Sequence, residues 1–174
     1  VERVKRIKTG HPLDTETMIG AQASLEQQEK ILGCIATGRG EGAQVLTGGS
    51  ERNEVGSGFY IEPTIFKGTN DMKIFQEEIF GPVVTLHPFN NEEEAVNLAN
   101  QSDYGLAAVI WTNHLTRAHR LSEKIESGIV WVNCWLERDL RTPFGGVKQS
   151  GVGREGGVEA LRFFTEPKNI CIKL

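Results

Sequence analysis

The chain has 174 residues, enough to bury a core, and sets 19 Lys and Arg against 23 Asp and Glu for a net charge of −4. That balance leaves no basic stripe of the kind a nucleic-acid binder needs, and no apolar run approaches the roughly 18 residues of a membrane span. The three cysteines, Cys34, Cys134 and Cys171, are odd in number and far apart. They read as reduced thiols of a cytoplasmic protein, not as a disulfide framework or a metal site. No signal-peptide pattern follows Val1, and the charged opening without an initiator Met suggests a piece of something longer.

In chain order, apolar residues at 1, 4 and 7 suit the end of a helix, which Gly10 and Pro12 stop. A second helix is predicted from Ser24, an N-cap with Gln27 three residues on as its capping-box partner. Leu25, Gln28, Ile31, Leu32 and Ile35 form its inward stripe, and Gly38 to Gly42 end it. Ala43 to Thr47 alternates as a strand, and Phe59 to Phe66 is β-rich with Pro63 at an edge or bend. Asp71 to Phe80 reads as a short helical turn before the strand Val83 to Leu86. Asn91 caps a helix whose Glu92, Glu93 and Glu94 suit its N-terminal dipole. The strand Leu106 to Trp111, the helix Leu115 to Glu126 and the strand Ile129 to Val132 follow. Strands alternating with helices predict an α/β fold with right-handed crossovers and a mainly parallel sheet flanked by helices.

Beyond the last of those strands runs a stretch, Arg138 to Gly157, dense in glycine and interrupted by Pro143. Phe144 and Val147 alternate there with Arg138, Arg141 and Lys148, which suits a shaped loop more than a passive connection. Its place is also where ligands bind in open parallel sheets, beyond the carboxyl ends of strands. The last residues, Asn169 to Leu174, alternate as a strand.

Two stretches, Glu77-Glu78-Ile79-Phe80-Gly81-Pro82 and Pro143-Phe144-Gly145-Gly146-Val147-Lys148-Gln149-Ser150-Gly151-Val152-Gly153-Arg154-Glu155, resemble signature motifs of the NAD(P)-dependent aldehyde dehydrogenase superfamily. Tyr104 to Ala108, Gly128 to Asn133 and Gly58 to Thr64 resemble further family segments in the same order. The resemblance spans nearly the whole chain. It implies a partial catalytic domain over residues 1–164 and an oligomerisation strand over 165–174, with the N-terminal cofactor domain absent. The nucleophilic Cys, the general-base Glu and the oxyanion-hole Asn would then lie upstream of Val1, leaving the fragment inactive alone and Cys134 a structural residue.

The same resemblance assigns roles to residues that are present. Such enzymes form a thiohemiacetal, pass hydride to the nicotinamide and hydrolyse a thioester. Glu78 resembles the carboxylate that accepts from the nicotinamide-ribose hydroxyls, and Phe80 the aromatic against the nicotinamide end. Gln27 and Lys30 match positions that reach the ribose in some relatives, or else form a solvated helix face. Phe144 resembles a residue lining the aldehyde tunnel. Arg138 stands where many relatives carry an apolar or aromatic residue, and a guanidinium there suits a substrate carboxylate. The bland alternative is a surface pair with Glu137 or Asp139.

The run Asn133 to Leu140 resembles the 2-aminomuconic and 2-hydroxymuconic semialdehyde dehydrogenases. Expected, therefore, are a carboxylate-bearing aldehyde as substrate, NAD as cofactor with NADP left open, and a homo-dimer or homo-tetramer. A general or retinal-type aldehyde dehydrogenase and a non-catalytic truncated chain are the alternatives.

Overall fold

The computed structural model describes all residues, 1–174, and divides into two compact units, Val1–Asn90 and Asn91–Leu174. No helix is long and apolar enough to cross a membrane. The expected catalytic region 1–164 is therefore carried by two bodies, each with its own ladder of strands.

In the first unit, a short helix α1 (Glu2–Lys5) precedes the long helix α2 (Leu25–Gly40). Ser24 caps α2, its hydroxyl accepting from the Gln27 amide at 3.2 Å. Strands β1 (Gln44–Thr47), β2 (Thr64–Lys67) and β3 (Val83–Leu86) form one sheet in that order, with α3 (Lys73–Gln76) between the last two. β1 runs antiparallel to β2 across a bulge at Val45/Thr47, whereas β2 and β3 are parallel, as a crossover through a helix requires. The core forms where α2 lies on this sheet: Ile31, Ile35, Ile61, Phe66, Ile74 and Ile79 are all buried. Removing that apolar surface from water is the main stabilising term of the unit. β2 is shorter than the expected Phe59–Phe66 strand, because Pro63 lacks the N–H to continue the ladder.

In the second unit, α4 (Glu92–Asn100) is capped by Asn91, whose side-chain oxygen accepts from the Glu94 amide at 2.9 Å. Strand β5 (Ala107–Ile110), helix α5 (Leu115–Lys124) and strand β6 (Ile129–Val132) make a β-α-β unit with β5 and β6 parallel. A separate antiparallel pair joins β4 (Tyr104–Gly105) to β7 (Val147–Lys148), and α6 (Gly157–Phe163) closes the chain. Lys148 secures this pair to α4: its ammonium donates to the Asn100 and Ser102 carbonyls and pairs with Glu126 at 2.7 Å.

The α/β class holds, and both β-α-β crossovers are parallel. One mainly parallel sheet does not describe the ladders, since β1 and β7 each join antiparallel. Residues 165–174 form no strand here and are exposed throughout. A strand needs a partner for its N–H and C=O groups, and no segment of this chain supplies one.

Candidate active site

The first unit presents the Glu78–Phe80 turn. Ile79 is driven into the core beside Ile31, and this fixes the residues on either side at the surface. Gly81 then passes so close to Ile31 that any Cβ at that position would overlap the isoleucine side chain. Phe80 takes φ of +57°, a left-handed conformation that costs a non-glycine residue about 1–2 kcal/mol. It is also 74% exposed, so its ring is not a core residue. Strain of this kind persists only where the surroundings hold it.

Helix α2 does the holding. The Gln27 carboxamide donates to the Ile79 carbonyl at 3.2 Å and to the Phe80 carbonyl at 2.9 Å, and the Lys30 ammonium donates to the Glu78 carbonyl at 3.3 Å. Both residues therefore engage the turn's backbone. The capping box at Ser24 is only half formed: the Ser24 hydroxyl accepts from the Gln27 backbone amide, but the Gln27 side-chain carboxamide engages the turn instead. Sequence reading missed this clamp because it spans about 50 residues. The Glu78 side chain itself is exposed.

The second unit presents the glycine-rich loop. Asn133, at φ of +56°, turns the chain out of β6, and its carboxamide bonds both backbone groups of Thr112. The buried Trp131 indole then donates to the Glu137 carbonyl at 2.8 Å, pinning the residue before Arg138. The Arg138 guanidinium lies over the Phe144 ring, 4.1 Å from its centroid, and donates to the Glu155 carboxylate at 2.6 Å. Phe144 and Glu155 exchange both backbone hydrogen bonds, each 2.8 Å. Arg154 turns the opposite way and donates to the Gly146 and Gly153 carbonyls, closing the loop. Beside this cross-link is an open cavity of about 310 Å³ lined by Phe144, Glu155, Leu106, Phe163 and Phe164.

Arg138 and Phe144 are thus brought into direct contact. Arg138 pairs with neither Glu137 nor Asp139. Asp139 instead takes Arg141 in a local turn, whose hydrogen bonds hold the aspartate carboxyl below its usual range and raise the arginine. Glu155 is the partner that sequence reading missed; only the register opposite Phe144 reveals it. Cys34 and Cys134 are half-buried and Cys171 exposed, all as free thiols. Burial pushes the Cys34 thiol up, making it a poorer nucleophile.

The first unit thus carries an exposed carboxylate–aromatic turn, and the second a glycine-rich loop with a stacked Arg–Phe pair. The model of the aldehyde dehydrogenase family matches residues 1–170, and the chain belongs to that family. It is 56% identical over 172 residues to a long-chain-aldehyde dehydrogenase of Acinetobacter sp., covering 99% of this chain and 34% of that protein. It is 52% identical to a 2-hydroxymuconic semialdehyde dehydrogenase of Pseudomonas sp., covering 95% of this chain and 35% of that protein. Among solved structures, an indole-3-acetaldehyde dehydrogenase of P. syringae, determined with NAD+ and IAA, superposes with a TM-score of 0.93 at 44% identity, over 100% of this chain and 35% of that one. The chain spans about a third of the length of the relatives it matches.

Proposed function

We propose that this chain is the C-terminal part of an NAD(P)-dependent aldehyde dehydrogenase that oxidises a carboxylate-bearing semialdehyde to the corresponding acid. The observation that carries the substrate reading is the Arg138 guanidinium stacked on Phe144 at 4.1 Å. A cation held against the residue that lines the aldehyde's path suits a substrate with an acid at its far end. The 2-hydroxymuconic semialdehyde relative supports this, and the similar long-chain-aldehyde relative supports the second reading below.

The residues of the first unit fit a nicotinamide cofactor. Bound NAD supplies the hydride acceptor. Glu78 would accept hydrogen bonds from the ribose hydroxyls, a task for which a carboxylate has two oxygens and several lone pairs. Phe80 offers an exposed ring for the nicotinamide end to rest on, and Gln27 and Lys30 keep that turn from relaxing. Fixing the cofactor and substrate in this way lowers the entropic part of the barrier. The nucleophilic cysteine and general base are assigned to the part of the enzyme before Val1. Residues 165–174 are assigned to pairing with another subunit, and the free thiols support a reducing, cytoplasmic setting.

In the full-length enzyme, Arg138→Ala is expected to raise KM for a carboxylate-bearing semialdehyde about 10- to 100-fold, the worth of a charge-assisted hydrogen bond. KM for an alkyl aldehyde should change little. Equal changes for both would favour the second reading, a general aldehyde dehydrogenase. What supports that reading is the Glu155 carboxylate already seated on Arg138.

A further inference from the structure

Glu155 is attached to Arg138 by side chain and to Phe144 by backbone. Its carboxylate accepts from the Arg138 guanidinium at 2.6 Å, and its amide and carbonyl bond Phe144 at 2.8 Å each. The main-chain bridge fixes where Glu155 sits; the side-chain pair rests on top of it and is separable from it. That pair is open to water, with side-chain exposures of 39% for Arg138 and 63% for Glu155. Pairs this exposed contribute about 0–1 kcal/mol, so another carboxylate can replace Glu155 at small cost. The neighbouring charges do not compete: Asp139 is occupied by Arg141, and Arg154 by the Gly146 and Gly153 carbonyls. Arg138 has one internal carboxylate, and Glu155 also lines the adjoining cavity.

We infer that Glu155 sets substrate specificity by acting as an internal competitor for Arg138. The inference rests on the role proposed above for that arginine. With no substrate present, Glu155 neutralises the guanidinium. An aldehyde bearing a carboxylate displaces it, exchanging one ion pair for another and releasing Glu155 to solvent. A neutral aldehyde leaves the pair closed, with Phe144 and the covered guanidinium as a mostly apolar wall. Glu155 thereby weakens the preference for acidic substrates that Arg138 alone would impose, and it keeps an uncompensated cation from facing a neutral chain.

The test compares kcat/KM for 6-oxohexanoate and for hexanal, equal in carbon number, using the full-length enzyme. The readout is the ratio of the two constants. Glu155→Gln keeps the backbone bridge and removes the charge, so the ratio is expected to rise roughly 5-fold through KM for 6-oxohexanoate. Glu155→Ala should raise it likewise, and Glu155→Asp should return it towards wild type. In an Arg138→Ala background, Glu155→Gln should leave the ratio where Arg138→Ala put it, the signature of a coupled pair. If Arg138→Ala lowers the ratio but Glu155→Gln does not raise it, Glu155 is not a competitor and the inference fails, while the arginine's role stands. If Arg138→Ala leaves the ratio unchanged, the arginine's role fails and this inference with it. Equal losses on both aldehydes in Glu155→Gln would also overturn it, since that pattern belongs to a residue serving the reaction or the fold in general.

Discussion

The carboxamide of Gln27 donates to the carbonyl of Phe80 across 2.9 Å, while Phe80 holds φ of +57°. A helix side chain thus keeps an exposed aromatic in a conformation its own backbone disfavours. Replacing Gln27 by Ala removes this bond and the one to Ile79. Stability is expected to fall by about 1–2 kcal/mol, the net worth of two ordinary hydrogen bonds. In the full-length enzyme KM for NAD should rise, with KM for aldehyde little changed. An unchanged KM for NAD would show that the clamp serves folding alone.

Phe80→Gly separates strain from function. Glycine takes positive φ freely, and the lost ring is mostly in water, so unfolding free energy should stay within about 1 kcal/mol of wild type. Cofactor affinity, measured by titrating NAD into the full-length enzyme, should fall several-fold. A large loss of stability with intact NAD binding would mean that the ring belongs to the fold.

Gly128 enters β6 directly under the loop, and any Cβ there would overlap the Gly145 carbonyl oxygen. Its own amide donates to the Gly105 carbonyl at 3.0 Å, so it cannot retreat. Gly128→Ala is expected to cost about 1–3 kcal/mol, the usual range for overpacking, and to shift Phe144 with Gly145. Chemical denaturation reads the first effect and aldehyde KM the second. A neutral substitution would show that the loop is looser than its contacts imply.

Glu92 accepts hydrogen bonds from Arg120 and Arg117. These bonds, Arg120's first, hold its carboxyl below the ordinary range. A carboxylate whose folded pKa lies below its unfolded value of about 4.3 stabilises the fold above that pH. The contribution disappears as acidification carries the pH down through the folded pKa. Urea midpoints of wild type and Glu92→Gln should therefore differ at pH 7, and the gap should begin to narrow once the pH falls below the unfolded carboxylate value of about 4.3. A gap that does not narrow with acidification would point to shape, not charge.

Elements with a strong local signal could be read directly. Asn91 and Ser24 cap the helices predicted of them, and Val83–Leu86 and Ile129–Val132 stand as strands with their expected bounds. Local pattern failed where a partner decides the outcome. Asn169 to Leu174 alternates like a strand, but alternation cannot provide a neighbouring ladder. Gln27 has the spacing of a capping box, yet its side-chain carboxamide finds carbonyls made available by a turn far along the chain. In the candidate site, Phe144 was singled out by the motif it sits in and Arg138 by the run before it, each as an individual residue. Their contact, and the carboxylate between them and solvent, depend on the Phe144–Glu155 register, which glycine-rich sequence does not encode by periodicity.

The nearness of Gly128 to Gly145 also bears on how this loop can diverge. Its path is fixed from below by the start of a strand and from the side by the Arg154 guanidinium, so it has no slack to reshape. On the proposed reading, a change of substrate here comes by exchanging Arg138, Phe144 or Glu155 on an unchanged track. Two such loops with different tastes in aldehyde should then superpose along the backbone and differ only in what hangs from it.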